Sequence, residues 1–358
     1  MALLWIDGFD HYSAPADAES VGRLNMLDGA WAAAAVGGPS ETYSRTGGQS
    51  LHIPSFSQTS ADNYRRIFGS GLSTVGFGFA IYMPTLASLI VGRAELFALT
   101  DSGNLKQLTF NLLATGAIEV RQGGATGTLL GTTPDGTLVA TAWQHVEVKA
   151  VISPTVGAVE IRVNGVTVIS LSGVNTGPAT ANNLTFMRNA SAFFQEFDVY
   201  LDDIYAWDIT GTYNNDFVGD KRVLSLMPTD DTAVADWAIT GAASGYAAIS
   251  EIPPDDDVSY IDTQIVGQQS AFQVADLVGL YGAISAVMTT PLSRKTVAGT
   301  CNLQVSLLSG AAEAPGADRP ITENYTYYTD MFEQDPNTAA PWTQAAINAM
   351  QMRIKRTA

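Results

Sequence analysis

The 358-residue chain has a single cysteine, Cys301, and only three histidines, so an intramolecular disulfide is excluded and no Cys/His set with zinc-ligand spacing exists. Charge is also scarce: 15 % of residues are charged, and 35 Asp plus Glu against 18 Lys plus Arg leave a net charge of −17. Such a surface repels phosphate backbones and anionic lipid, which argues against nucleic acid as a partner and against binding at a membrane surface. No apolar run reaches the roughly 18 to 20 residues that span a bilayer, so membrane insertion is not expected. The opening MALLWIDGFDHY lacks a basic stretch followed by a long apolar one and reads as the start of a soluble protein without an export signal. Long amphipathic helices are missing as well.

What is present is period-two alternation, broken at short intervals by Gly, Asn, Asp, Pro and Thr, the pattern of antiparallel sandwiches and barrels. In the segment 158–163, Val159, Ile161 and Val163 alternate with Glu160 and Arg162; Asn164-Gly165 then supplies the two φ > 0 positions of a tight hairpin, with Val166 to Leu171 returning. Further strands are expected at 50–53, 75–83, 95–100, 108–113, 117–122 and 143–152. Phe193 to Asp208 reads as a long strand closing a first domain, with a bulge at Asp202-Asp203, where the apolar residues begin to fall on both parities. The Gly/Asn-rich stretch after it sets domains at 1–215 and 216–358. The second is β-rich, with a short helix at Pro341–Met350 and a last strand at Gln351–Arg356. The expected class is all-β, with two antiparallel β-sandwich, jelly-roll-like domains.

Taken together, DGFDHY, GGQSLHIP, GFGFAIYMP, WQHVEVKAVI, GAVEIRVNGVTVISLSG and YLDDIYAWD resemble the laminin-G-like, concanavalin A-like sandwiches over residues 1–215. GDKRVLSLMP, EIPPDDDVSYI and PWTQAAINAMQMRIKRTA resemble the C-terminal region of tailed-bacteriophage structural proteins that carry such a sandwich. The resemblance implies a non-enzymatic virion subunit, of the tail, a fibre or the head decoration, made in the bacterial cytoplasm. Its implied partners are other virion proteins and copies of itself, with a trimer as the first guess. The alternative is a glycan-binding adhesin that attaches the particle to a host surface glycan.

Resemblance to jelly-roll carbohydrate modules also implies a structural calcium ion on Asp7, Asp10, Asp202 and Asp203. YLDDI at 200–204 matches the late-strand motif of those modules, whereas DGFD at 7–10 matches the early one loosely. The bland alternative is that these acids cap turns and accept backbone N–H groups. No other cofactor is expected.

A hydrolase is the third possibility. Glu196, Asp198 and Asp202 share a parity, but a retaining pair needs a second acid beyond the Asp, where Tyr200 and Leu201 stand. No catalytic residue is therefore assigned. His11, His52 and His145 occupy strand-like contexts without a nucleophile elbow, and His145 is expected at the solvent or a sheet edge. The EIPPDDD acids lack EF-hand spacing and read as a solvated loop or a subunit contact. Trp31, Tyr43, Tyr64 and Phe68 are candidates for a sugar-stacking platform, although half of them are expected in the core.

Overall fold

The computed structural model describes residues 2–12, 37–45, 47–54, 63–86, 92–187, 198–279 and 281–358. They fall into two compact units that divide between Val223 and Leu224.

The first unit is an antiparallel sandwich. Its strands are β1 (Leu3–Asp7), β2 (Gly38–Ser40), β3 (Ser50–Ile53), β4 (Asn63–Leu72), β5 (Thr74–Tyr82), β6 (Arg93–Thr100), β7 (Lys106–Leu113), β8 (Ile118–Gln122), β9 (Thr128–Thr132), β10 (Gln144–Val151), β11 (Gly157–Val163), β12 (Val166–Val174), β13 (Ala181–Met187) and β14 (Val199–Trp207). One sheet runs β12-β11-β10-β5-β14-β3-β2, with β1 also paired to β14; the other runs β4-β13-β6-β7-β8-β9. The expected Asn164-Gly165 hairpin joins β11 to β12, with φ of 49° and 79° at its two turn residues.

Alternation decides which side chains meet between the sheets. From β5, Phe77 and Phe79 point inward and meet Phe97 edge-on at 5.5 and 5.3 Å; Phe79 also meets Phe186 at 5.3 Å. Val146, Val148 and Ala150 of β10 and Val159, Ile161 and Val163 of β11 extend this core.

The outer face of the same sheet is unusual. Tyr205 and Trp207 of β14 project there and lie over Gly78 and Gly76, where an added Cβ would come within 2.4 Å of Tyr205 and 2.0 Å of Trp207. The residues after β14 then cross this face, so every residue of β14 is buried, on both parities. The register shift between Asp202 and Tyr205 is the expected bulge, and Asp203 occupies it at φ 52°.

In the second unit, one six-stranded antiparallel sheet runs through 228–235, 269–274, 351–356, 302–309 and 312–315, with 319–320 also paired to 302–309. Three two-stranded ladders accompany it. The single described α-helix, α1 (Gln344–Ala349), is capped by Thr343, whose side chain accepts from the Ala346 N–H. Ile347 of this helix packs with Leu307, Phe332, Trp342 and Met350. The strand Gln351–Arg356 pairs on both sides, which buries Ile354 against Phe272, Leu303 and Val305. No helix of the described residues is long and apolar enough to cross a membrane.

Candidate functional site

The outer face of the eight-stranded sheet carries the chemistry of the first unit, and it is divided into a covered part and an open part. Residues 216–223 cover the middle. Beneath them His145 Nε2 lies 2.9 Å from the Tyr205 hydroxyl, which contacts Glu147 Oε1 at 2.9 Å and the Gly219 carbonyl at 2.7 Å. The Val218 and Gly219 N–H groups donate to the same Glu147 oxygen at 2.7 and 2.9 Å. Phe217 lies under the Arg162 guanidinium, 3.6 Å from its ring centre, and meets Trp207 at 6.0 Å. The expectation for His145 is corrected here: it is fully buried, not at the solvent or an edge, because β10 is an interior strand and the crossing segment seals its outer side. Burial lowers the imidazole to about 4 and raises both the Glu147 carboxyl and the Tyr205 phenol. The group is a sealed polar network that ties residues 216–223 to the sheet.

At the other end, the face is open. Tyr43 stacks on Tyr82 at 4.5 Å and meets Tyr200 edge-on at 4.9 Å; His52 stacks on Tyr200 at 4.4 Å, and Trp143 lies 5.5 Å from Tyr82. Tyr200 is buried and forms the base, while Tyr43, His52, Tyr82 and Trp143 are partly exposed. His52 Nε2 is 3.5 Å from Asp198 Oδ1, and burial lowers the His52 pKa more than the carboxylate raises it. Burial, with Asp198 and Tyr43 adding to it, pushes the Tyr200 phenol up to about 12, and burial beside Tyr43 also raises Tyr82. Near neutral pH the patch therefore offers protonated phenols, a neutral imidazole and flat ring faces: hydroxyl donors, an imidazole nitrogen and a stacking surface.

Of the described residues expected to form a sugar platform, only Tyr43 is found in this patch. Tyr64 and Phe68 are buried in β4, together with Arg66, whose guanidinium lies 5.2 Å from the Trp5 ring centre. Trp31 lies outside the described residues, as does Glu196; of the three acids that share a parity, Asp198 stands beside His52 and Asp202 is buried. His11 is partly exposed and lies against Tyr12, with ring centres 4.0 Å apart, and its pKa is lowered by desolvation.

Each of the four aspartates is engaged by groups of the protein itself. Asp7 accepts from the Phe9 N–H and the Tyr12 hydroxyl, Asp10 from the Gln49 N–H, and Asp202 from the Arg45 and Asp203 N–H groups. Asp203 accepts from the Val223 N–H and pairs with Arg45 at 3.1 Å. Arg45 also bridges to Asp220 at 2.7 Å. Burial, reinforced by Asp203, pushes Asp202 up to about 8. Among the described residues, no three His, Cys, Asp or Glu side chains form a group that could hold a metal ion. Calcium seeks six to eight oxygens, and here it would compete with Arg45 for Asp203 and with backbone N–H groups for the rest. The cluster as built predicts equal melting temperatures in millimolar calcium and in chelator, with Asp203→Ala lower in both. A calcium-dependent rise that Asp203→Ala abolishes would instead establish the ion.

The acidic loop 251–257 is turned onto its own chain. The Ser259 hydroxyl lies 2.8 Å from Glu251 Oε1 and 2.9 Å from Asp255 Oδ2, and Arg294 pairs with Asp257 at 2.6 Å.

No family model matches the sequence, and no curated protein does. Among solved structures, the cellulose-induced protein Cip1 is similar over 52 % of this chain and 88 % of its own, at 14 % identity and a TM-score of 0.39. The alginate lyase Aly36B is similar over 46 % of this chain and 82 % of its own, at 14 % identity and 0.32. A tetrameric galectin from the ball sponge Cinachyrella sp. is similar over 41 % of this chain and 99 % of its own, at 12 % identity and 0.29. The all-β assignment rests on the strand pairing itself.

Proposed function

We propose that this chain is a non-enzymatic structural subunit of a tailed-phage particle whose first sandwich binds glycan through the patch of Tyr43, His52, Tyr82, Trp143 and Tyr200. The observation that carries glycan binding is that patch: stacked, partly exposed rings drawn from separate segments of one sheet face. Aromatic faces take the C–H faces of pyranose rings, and the phenols and imidazole take the hydroxyls. Residues 216–223 occupy the neighbouring stretch of the face, so the patch receives a short segment or an end of a glycan. A non-catalytic role is supported by the same covering, which closes His145, Glu147 and Tyr205 to a substrate. The virion setting rests on the sequence resemblance, as do the homo-oligomer and the neighbouring virion proteins.

Glycan binding is tested by calorimetry of the full chain against bacterial surface oligosaccharides. Trp143→Ala is expected to weaken binding at least about tenfold, corresponding to roughly 1.4 kcal/mol, with the melting temperature held. Unchanged affinity would remove the patch as the site. Particle membership is tested by antibody labelling of purified virions: labelled tails, fibres or heads support it, and unlabelled, intact particles of the producing phage refute it.

A further inference from the structure

We infer that the outer edge of β12 is an assembly surface that pairs antiparallel with β12 of a second copy, joining two eight-stranded sheets into one. This goes beyond glycan binding and does not depend on it. β12 is a nine-residue strand, VTVISLSGV, at one end of its sheet, and among the described residues its only strand partner is β11. An edge strand turns alternate N–H and C=O groups away from its neighbour, and those groups template the addition of another strand. The other sheet ends are blunted against such addition. In the first unit β2 is three residues long with Pro39 in its middle, β4 carries Arg65 and Arg66, and β9 has five residues including Gly131. In the second unit the strand 228–235 carries Asp230 and Asp231, while 312–315 and 319–320 carry Glu313, Pro315, Arg319 and Pro320. β12 has neither a charged residue nor a proline, and five of its nine residues are β-branched, which favours pairing.

The register of β12 on β11 shifts at two places and is regular between them, from Ile169 to Ser172. The side chains of this stretch suit a copy of themselves. Ile169 and Leu171 lie opposite the buried Ile161 and Val159 and close against Gly131 of β9, where an added Cβ would come within 2.8 and 3.1 Å of them. Ser170 and Ser172 alternate with them and are exposed. A two-fold axis through the stretch therefore sets Ile169 and Leu171 beside their counterparts, which extends the apolar layer, and serine beside serine on the outside.

Charge selects the occupant. Copies of a chain of net charge −17 repel one another, and they approach closely only where charge is absent or balanced. β12 meets that condition: the charged side chains of β11, Glu160 and Arg162, neutralise each other at 2.8 Å, and Thr167 of β12 donates to Glu160. A basic protein would be steered to acidic surface rather than to this neutral edge. One strand pair is a small interface, so the association is weak in solution and gains strength where many copies are held together.

The test is sedimentation velocity together with hydrogen exchange of the full chain at micromolar and at near-millimolar concentration. The smallest species should double in the concentrated sample, and the amides from Thr167 to Gly173 should exchange more slowly there. Association should strengthen as salt screens the net charge. Ser170→Lys, at an exposed edge position, should weaken association at least about tenfold at an unchanged melting temperature, even though it reduces the net negative charge of each copy. Ser170→Thr should keep the association, and so should Thr128→Lys on β9. If copies associate while the β12 amides stay unprotected, or if Ser170→Lys leaves association intact, this edge is not the contact, and self-association through another surface stands. If the β12 amides are already protected in the dilute sample, another segment of the chain covers the edge and the inference fails. A single species at every concentration removes it too, and leaves glycan binding at the patch untouched.

Discussion

Phe97→Ala should cost the first unit about 3–5 kcal/mol, the range for removing a large buried ring. Phe97 is 1 % exposed and stands where the two sheets meet. It stacks on Phe110 within its own sheet at 4.5 Å and is met edge-on by Phe77 and Phe79 from the opposite sheet. Truncation therefore removes the apolar contact of the ring itself and several ring pairs, each worth about 0.5–1.5 kcal/mol beyond burial. Its neighbours come from β5, β7 and β13, strands paired on both sides, so the backbone cannot move in to fill the gap. Urea unfolding of the full chain, followed by a probe of the first unit, should show the midpoint falling with little change in slope. Phe97→Leu, which keeps most of the volume, should lose much less. A loss below about 1 kcal/mol for the alanine variant would mean that this ring cluster is not the centre of the core.

The sequence made some of this architecture readable, and the reasons differ from segment to segment. The β11–β12 hairpin was legible because one face is buried, the other is wet, and Asn164-Gly165 fits only one kind of turn. Helix α1 and the strand Gln351–Arg356 were legible for the same local reasons, and the helix is trimmed to Gln344–Ala349 by its Thr343 cap. In β4 the pattern misleads: Tyr64, Arg66 and Phe68 share the buried side while Ile67 is 36 % exposed, since the Arg66 guanidinium finds an aromatic face on Trp5. From the sequence alone no assignment is made for Arg66, and Tyr64 and Phe68 are left between a sugar platform and the core.

β14 misleads in another way. Its two-sided burial comes from a segment that crosses it after the strand has ended, and no periodicity within YLDDIYAWD encodes that. The signal that could have exposed it lies in GFGFAIY. Phenylalanines fill the inner face of β5, and Gly76 and Gly78 leave room on the outer face for Trp207 and Tyr205. The aromatic patch was the least legible feature. Tyr43, His52, Tyr82, Trp143 and Tyr200 are far apart in the chain and meet only through the strand order β10-β5-β14-β3.

The same covered face should make the first unit acid-labile through His145. Of the hydrogen bonds around it, the phenol of Tyr205 has one proton, which goes to Glu147 or to the Gly219 carbonyl; when it does so, His145 Nε2 must donate to the phenol oxygen. Nδ1 is then the unprotonated nitrogen, and it is buried without a hydrogen-bond partner. A second proton would place a charge beneath residues 216–223; burial outweighs the attraction of Asp220 and, with Arg45 and Arg222 adding to it, holds the imidazole at about 4 against an ordinary 6.5. The folded state thus binds the proton more weakly than the unfolded chain. Its contribution is intact above pH 6.5 and is lost as pH falls from there towards 4, since only the unfolded chain gains the proton in that window.

At about 1.4 kcal/mol per pH unit, the wild type should lose roughly 3 kcal/mol across it relative to His145→Gln, which keeps an N–H donor and does not titrate. Acids that do not face His145 act on both proteins alike, so the difference between the two melting curves reports His145 together with its coupling to Asp220. Hydrogen exchange gives a local readout, because the Val218 and Gly219 amides donate to Glu147 beside the imidazole. They should lose protection in the wild type between pH 6.5 and 4, after correction for intrinsic exchange, and lose less in His145→Gln. Parallel stability profiles for the two proteins through this window would mean that His145 keeps an ordinary proton affinity and that residues 216–223 do not seal it.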